Sequence, residues 1–240
     1  MAFMGRYLSE TEKRYFKIRG ELLSRTNAKF VADNPFVFAG RIQTTNMLAR
    51  VELFKKILSV SGSIVECGVA YGNGLMLFAH LSSLLEPYAI NRKIIGFDTF
   101  EGFKSLSRHD PETIKGKFED TSKELLQRAA ALYDMDRPLG HMGRIELVEG
   151  DAVKTIPKYV KTHPELTVAM LYLDFDTYKP TLEALKAFLP LVCKGGIVVF
   201  DEFGYDGLPG ETVAGKEILD ISKVPLRRFP YAPFIAYFEV

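Results

Sequence analysis

The sequence predicts an α/β fold: a mostly parallel central sheet with helices on both faces and antiparallel strands at its C-terminal end. Three observations predict it. Short apolar runs alternate with longer segments of helical apolar spacing, the pattern of parallel strands joined by crossover helices. The run Ser63–Cys67 leads through Gly68, Gly72 and Gly74 into an apolar segment over 75–85, which reads as strand, tight turn and helix. Residues 224–238 alternate apolar side chains around Pro225, Pro230 and Pro233, as terminal antiparallel strands do.

The elements follow in order. Tyr7, Leu8, Tyr15, Phe16, Ile18 and Leu22 recur at helical spacing, so 7–25 is predicted helical, and Asn34-Pro35 marks a turn. Residues 44–58 form the helix before the first strand, with Met47, Leu48, Val51, Leu53, Phe54, Ile57 and Leu58 as its buried face. Strand one is Ser63–Cys67, with its crossover helix over 74–85, and strand two is 93–97, ending at Asp98. Residues 101–122 are polar and aperiodic and read as a lid. A helix over 122–133 places Leu125, Leu126, Ala129 and Leu132 on one side. Strand three is 144–148, strand four 167–173 ending at Asp174, and strand five 197–200 ending at Asp201-Glu202, with a helix over 180–190 between the last two.

The 240 residues fit one domain, 1–240, carrying an N-terminal helical segment over about 1–60 and the lid over about 101–122. A net charge of +1 with scattered Lys and Arg gives no electrostatic reason for a nucleic-acid partner. No apolar run reaches membrane-spanning length and the N-terminus lacks an apolar signal core. The expectation is a cytoplasmic protein with no membrane partner. Cys67 and Cys193 lie in strand-like apolar contexts and are expected to be reduced core residues.

The strand ends carry the chemistry. Strands one, two, four and five end in or run into Glu66, Asp98, Asp174 and Asp201-Glu202, and strand three is followed by Gly150-Asp151. In a parallel sheet these ends share one edge, where ligands of doubly wound sheets bind. So many carboxylates at one rim demand cations or hydroxyl donors. Asp98 is placed to accept from ribose hydroxyls, Glu66 to orient the Gly-rich loop and a ligand's amino-acid end, and Asp151 to meet an adenine edge. For each acid singly, capping of the next helix is an equal alternative. Asp174, Asp201 and Glu202 supply oxygen ligands suited to a hard divalent cation such as Mg²⁺. Asp174, or else Asp176, then takes a proton from a substrate hydroxyl.

Five segments together resemble one family: 65–74 (VECGVAYGNG), 96–103 (GFDTFEGF), 148–157 (VEGDAVKTIP), 173–181 (LDFDTYKPT) and 195–204 (GGIVVFDEFG). In order and spacing they are similar to the macrocin O-methyltransferases, enzymes that use S-adenosylmethionine (SAM) and Mg²⁺ to methylate sugar hydroxyls in antibiotic biosynthesis, over about residues 40–220. The resemblance implies a class I SAM-dependent methyltransferase (Rossmann-like) fold. It implies SAM contacts from Glu66, Gly68, Tyr71, Gly72, Asn73, Gly74, Asp98, Thr99, Phe100, Gly150, Asp151, Ala152 and Asp174, with Thr44 and Thr45 in a segment that closes over the cofactor. It implies metal at Asp174, Asp201 and Glu202, catalysis by Asp174 and Asp176, a small-molecule sugar or glycoside acceptor, and a homo-oligomer. The chain departs from the family at Glu202, where Asp is usual, and at Phe175, where Gly is usual and where the larger side chain would alter the substrate side.

Other readings of the same residues stand beside it. Asp174-Phe175-Asp176 fits the metal motif of a glycosyltransferase, and Asp174 an aspartyl nucleophile of a phosphotransferase. The Gly-x-x-x-Gly-x-Gly spacing, and more than about 20 residues from the turn to Asp98, disfavour an NAD enzyme. A SAM-binding protein without catalysis is the non-enzymatic alternative. His109 and His141 read as exposed loop residues before they read as bases.

Overall fold

A computed structural model describes residues 9–240; the predicted helical positions Tyr7 and Leu8 lie outside the described residues. The chain divides into two compact units, one ending at Leu48 and the other Ala49–Val240.

The first unit is helical. Helix α1 (Glu10–Ser24) begins with a capping box in which Ser9 Oγ accepts from Glu12 N and the Glu12 carboxylate accepts from Ser9 N. Helices α2 (Ala28–Asp33), capped by Asn27, and α3 (Pro35–Phe38), opened by Pro35, follow, and α4 (Arg41–Lys56) starts in this unit. The helix is as predicted, but none of α1 is buried: Tyr15, Ile18 and Leu22, whose spacing marked it, are exposed. The short α2 and α3 escaped the sequence reading because four to six residues cannot display a helical period.

The second unit is a seven-stranded sheet of order β3-β2-β1-β4-β5-β7-β6. Its strands are β1 (Ser63–Cys67), β2 (Ile94–Asp98), β3 (Ile145–Glu149), β4 (Val168–Leu173), β5 (Val192–Phe200), β6 (Arg227–Phe229) and β7 (Ala232–Glu239). The first five run parallel and β7 pairs antiparallel with both β5 and β6, the antiparallel C-terminal pairing that was predicted. The crossovers carry α5 (Asn73–Leu85), α6 (Lys123–Met135), α7 (Ala152–Thr162), α8 (Tyr178–Phe188) and α9 (Gly210–Ile218).

Both sheet faces are buried, which is why the strands are near-continuous apolar runs. Alternate residues serve opposite cores. Ile64, Ile94, Met170 and Ile197 join Leu53, Phe54, Phe78 and Leu126 of α4, α5 and α6. Val65, Ile95, Leu171 and Val198 join Ile156, Leu185, Phe188 and Ala214 of α7, α8 and α9.

Several predicted faces are rotated. On α4, Leu48 is exposed, as is Leu58 just beyond it, whereas Ala49, Arg50, Leu53 and Phe54 are buried. The true stripe follows the helical period through position 50, and an arginine there hid the phase. On α6, Leu126 and Tyr133 are buried while Leu125 and Leu132 face solvent. Strand β5 starts five residues earlier than predicted, because Gly195 (φ 82°) and Gly196 form an irregularity within the strand rather than a turn before it. Helix α9 was not predicted, its sequence being mostly polar and glycine-containing. Cys67 is buried as expected; Cys193 is only half-buried, and both are free thiols.

Candidate active site

The strand order reverses between β1 and β4, so their C-terminal ends flank a crevice. Backbone hydrogen bonds continue one step past the strands: Asp174 N to Cys67 O (2.7 Å), Gly68 N to Phe97 O, Asp201 N to Leu173 O and Gly150 N to Asp98 O (each 2.9 Å). These bonds line up the post-strand loops along one rim, with Glu66, Asp98, Asp174, Asp201 and Glu202 all on that edge.

The β1–α5 loop is held by Asp98. One carboxylate oxygen accepts from Val69 N and Ala70 N (2.8 Å each) and the other from Phe100 N (2.7 Å). The sequence reading gave the loop-orienting role to Glu66; the structure gives it to Asp98, since Glu66 points at α4 instead. Gly68 (φ 99°) lies so close to β4 that a Cβ would sit 2.0 Å from the Asp174 carbonyl oxygen. Gly72 (φ 82°) opens α5 with no side-chain cap, leaving first-turn amides, at Asn73 and beyond, without a side-chain acceptor. Gly74 serves packing: a Cβ there would meet Glu66 Oε1 at 2.2 Å and the Arg50 guanidinium at 2.7 Å.

Arg50, which the sequence reading did not single out, is the hub. Nη1 donates to Glu66 Oε1 (2.9 Å), Nη2 donates to Asp174 Oδ2 (3.0 Å) and lies 3.8 Å from Asp201 Oδ1. Its Cζ stands 3.9 Å from the ring centroid of Tyr172, whose hydroxyl donates to Asp201. One buried guanidinium therefore joins the acid of β1 to the acids after β4 and β5. Its signal in the sequence was a charge at the i−3 position of the apolar Leu53, inside a buried stripe.

The electrostatics show strain from like charge. Burial pushes the Glu66 carboxyl up to about 7 despite Arg50. Asp174, whose side chain keeps 26% exposure, is raised well above the ordinary range by its surroundings and by Asp201, against Arg50's pull. Burial and then Asp201 push Asp176 up to about 7. Burial, then Asp176 and Asp201, push Glu202 up to about 9. Arg50 is raised further above its ordinary value: burial opposes its charge, and Tyr172, Glu66, Asp201 and Asp174 outweigh that opposition. Asp176 also sits in the left-handed region at φ 59°.

The remaining predicted residues are placed as follows. Tyr71 is exposed and donates to Asp120 (2.6 Å), Thr99 Oγ1 donates to Gly102 O, and Phe100 is buried at φ 54°. Asp151 caps α7 by accepting from Val153 N (3.1 Å), the capping alternative realised, and Ala152 is buried in α7's first turn. Thr44 and Thr45 lie on α4 in the first unit, donating to Gly40 O and Ile42 O. Phe175 packs in the core with Leu171, Leu173 and Ala184. His109 is half-buried with its ring centroid 4.6 Å from that of Tyr178, and His141 is exposed. The segment 101–122, expected to be a lid, contains a 3₁₀ turn at Glu112–Ile114 and is fastened by Asp110, which accepts from Ser107 N and Tyr178 N.

A model of the family described as macrocin O-methyltransferase matches residues 10–213. The chain belongs to the macrocin O-methyltransferase family. Among curated relatives, mycinamicin III 3''-O-methyltransferase of Micromonospora griseorubida is 26% identical over 149 residues, 60% of this chain and 56% of that protein, so the match spans little over half of the relative. The fold is similar to that of CalS11, calicheamicin methyltransferase (34% identity, TM-score 0.89, 97% of this chain and 93% of that one). It also matches the O-methyltransferase NovP (20% identity, TM-score 0.66, 81% and 78%), a likeness of fold. The sheet is thus that of a class I SAM-dependent methyltransferase, and the glycosyltransferase, phosphotransferase and NAD readings fall.

Whether the site suits a divalent cation is tested by its own oxygens. Among the described residues no three His, Cys, Asp or Glu side chains already stand arranged to hold a metal. The donor chemistry nevertheless fits one: Glu202 Oε2 is buried without a partner among the described residues. The surrounding carboxyls repel one another, and Arg50 already satisfies Asp174 as a cation would.

Proposed function

We propose that this chain transfers the methyl group of SAM to a hydroxyl of a sugar, free, nucleotide-linked or part of a glycosylated natural product, with a divalent cation such as Mg²⁺ at Asp174, Asp201 and Glu202. The reading rests above all on one observation: a single guanidinium, Arg50, spans from Glu66 to Asp174, so the cofactor and metal acids share one crevice. Support for the acceptor class comes from relatives: CalS11 is a TDP-rhamnose 3'-O-methyltransferase (32% identity, TM-score 0.82 in a second structure).

SAM supplies an electrophilic methyl on a sulfonium. Asp98 fixes the loop that would receive its adenosine, and the uncapped first turn of α5 offers amides to its carboxylate. Glu66, paired with Arg50 at 2.9 Å, supports the same rim from the end of β1. A cation held by Asp174, Asp201 and Glu202 would lower the pKa of an acceptor hydroxyl. Asp176 is the proton acceptor: Asp174 is engaged by Arg50, whereas Asp176, poised near 7, meets the requirement of a base at neutral pH. Holding oxygen, methyl and sulfur in line supplies much of the acceleration.

The test is transfer of isotope-labelled methyl from SAM to a panel of nucleotide-linked and natural-product deoxysugars, with and without chelator. Expected is transfer abolished by chelation and restored by Mg²⁺. SAM binding without transfer to any member would identify a non-catalytic SAM-binding protein instead.

A further inference from the structure

Glu211 is a fully buried carboxylate (0% exposure) in the first turn of α9, outside every motif that carried the family resemblance. Burying a carboxylate is costly unless hydrogen bonds compensate. Its own helix start would suffice for an acid at this position, yet the side chain reaches elsewhere. Oε1 accepts from Asp176 N (3.1 Å) and Oε2 accepts from Glu202 N (3.3 Å). The two amides belong to different loops, one after β4 and one after β5. The preceding residue explains how α9 comes so near. A Cβ on Gly210 would stand 2.6 Å from both Asp110 Oδ1 and Tyr178 N, so only glycine lets α9 begin against the start of α8 and Asp110.

We infer that Glu211 is a positioning residue for the cation site and the base: it clamps the backbone of Asp176 and Glu202 at a fixed separation, so that the two acidic loops present their side chains to one ion and one hydroxyl. The inference rests on the metal assignment proposed above. The clamp explains how Asp176 is held at φ 59°, a conformation that persists only where surrounding structure enforces it. It also explains why the Asp176 and Glu202 side chains are left free of the amides beside them: Glu211 has taken those amides.

The experiment compares the full chain with Glu211→Ala and Glu211→Gln by Mn²⁺ titration followed by electron paramagnetic resonance, by SAM titration calorimetry, and by amide exchange at Asp176 and Glu202. Loss of such a supporting partner is expected to weaken Mn²⁺ binding about 10–100-fold in Glu211→Ala. SAM affinity should stay within about twofold, since Asp98 and its loop are untouched. Exchange at both amides should quicken. Glutamine keeps one acceptor and turns an NH₂ toward the other amide, so its Mn²⁺ affinity should fall by less. Equal Mn²⁺ affinity in wild type and folded Glu211→Ala overturns the inference. Where that variant does not fold, wild-type Mn²⁺ affinity in Glu211→Gln overturns it. A wild type that binds no Mn²⁺ overturns both this inference and the metal assignment, whereas binding that is equal in all variants overturns the clamp alone.

Discussion

The two halves of the rim are built on opposite terms. At the ends of β1 and β2, Asp98 is saturated by three backbone amides and the loop it holds has a fixed shape. At the ends of β4 and β5, Asp174, Asp176 and Glu202 are crowded, their carboxyls are pushed above the ordinary range, and Glu202 keeps a buried oxygen with no partner among the described residues. The first half is complete with protein groups. The second needs added positive charge, of which Arg50 supplies part. On the proposed chemistry, the finished half receives the cofactor and the unfinished half receives the cation and acceptor.

The largest expected effect tests the unfinished half. Asp176→Asn should lower kcat by about 10²–10⁴-fold with unchanged SAM affinity; turnover near wild type would remove Asp176 from the chemistry and return the role to Asp174. Next, Asp98→Ala strands three amides at about 1–3 kcal/mol each, so SAM affinity should drop by about 100-fold or more, with Mn²⁺ binding retained. Should both ligands weaken equally, the two halves are not separable. Arg50→Met leaves Glu66 and Asp174 without their cation and should destabilise the fold by about 3–5 kcal/mol in denaturant titration.

The smallest effect concerns pH. Glu66 and Asp176 titrate near 7 and Glu202 near 9 in the fold, above their ordinary values of 4.5, 3.8 and 4.5. The folded chain thus holds protons that the unfolded chain has released, so the stability from these groups is full below about pH 4 and is lost as pH rises through 7 and 9. The metal-free melting temperature should fall across that window, by about 2–4 °C per kcal/mol, and Mg²⁺ should flatten the slope. A slope indifferent to Mg²⁺ would break the contrast between the halves.

Strands β1, β2, β4 and β5 were legible because each is an apolar run that ends in or runs into an acid, and a sheet buried on both faces permits little else there. The rim was legible for the same reason: Glu66, Asp98, Asp174 and Asp201 sit at strand ends, where topology alone brings them together. What failed was everything that depends on where a side chain turns. The loop-orienting role went to Asp98 and not to Glu66 because loop geometry, not sequence spacing, decides which carboxylate meets the amides of Val69 and Ala70. Arg50 was passed over because a single charge on an apolar helix carries no sign of its burial. Glu211 lies in a polar stretch with no period, and its partners are backbone groups 35 and 9 residues away, which no local pattern encodes.

The left-handed residues after the strands carry an evolutionary consequence. Ala70 (φ 46°) follows β1 and Asp176 (φ 59°) follows β4, and each conformation costs an L-residue on the order of 1–2 kcal/mol that glycine avoids. Phe100 (φ 54°) is different, since its buried ring contributes about as much as the backbone loses. A screen for heat tolerance should therefore enrich glycine at 70 harmlessly and at 176 with extinction of methyl transfer. A thermostable descendant that retains aspartate at 176 would carry the imprint of selection for turnover.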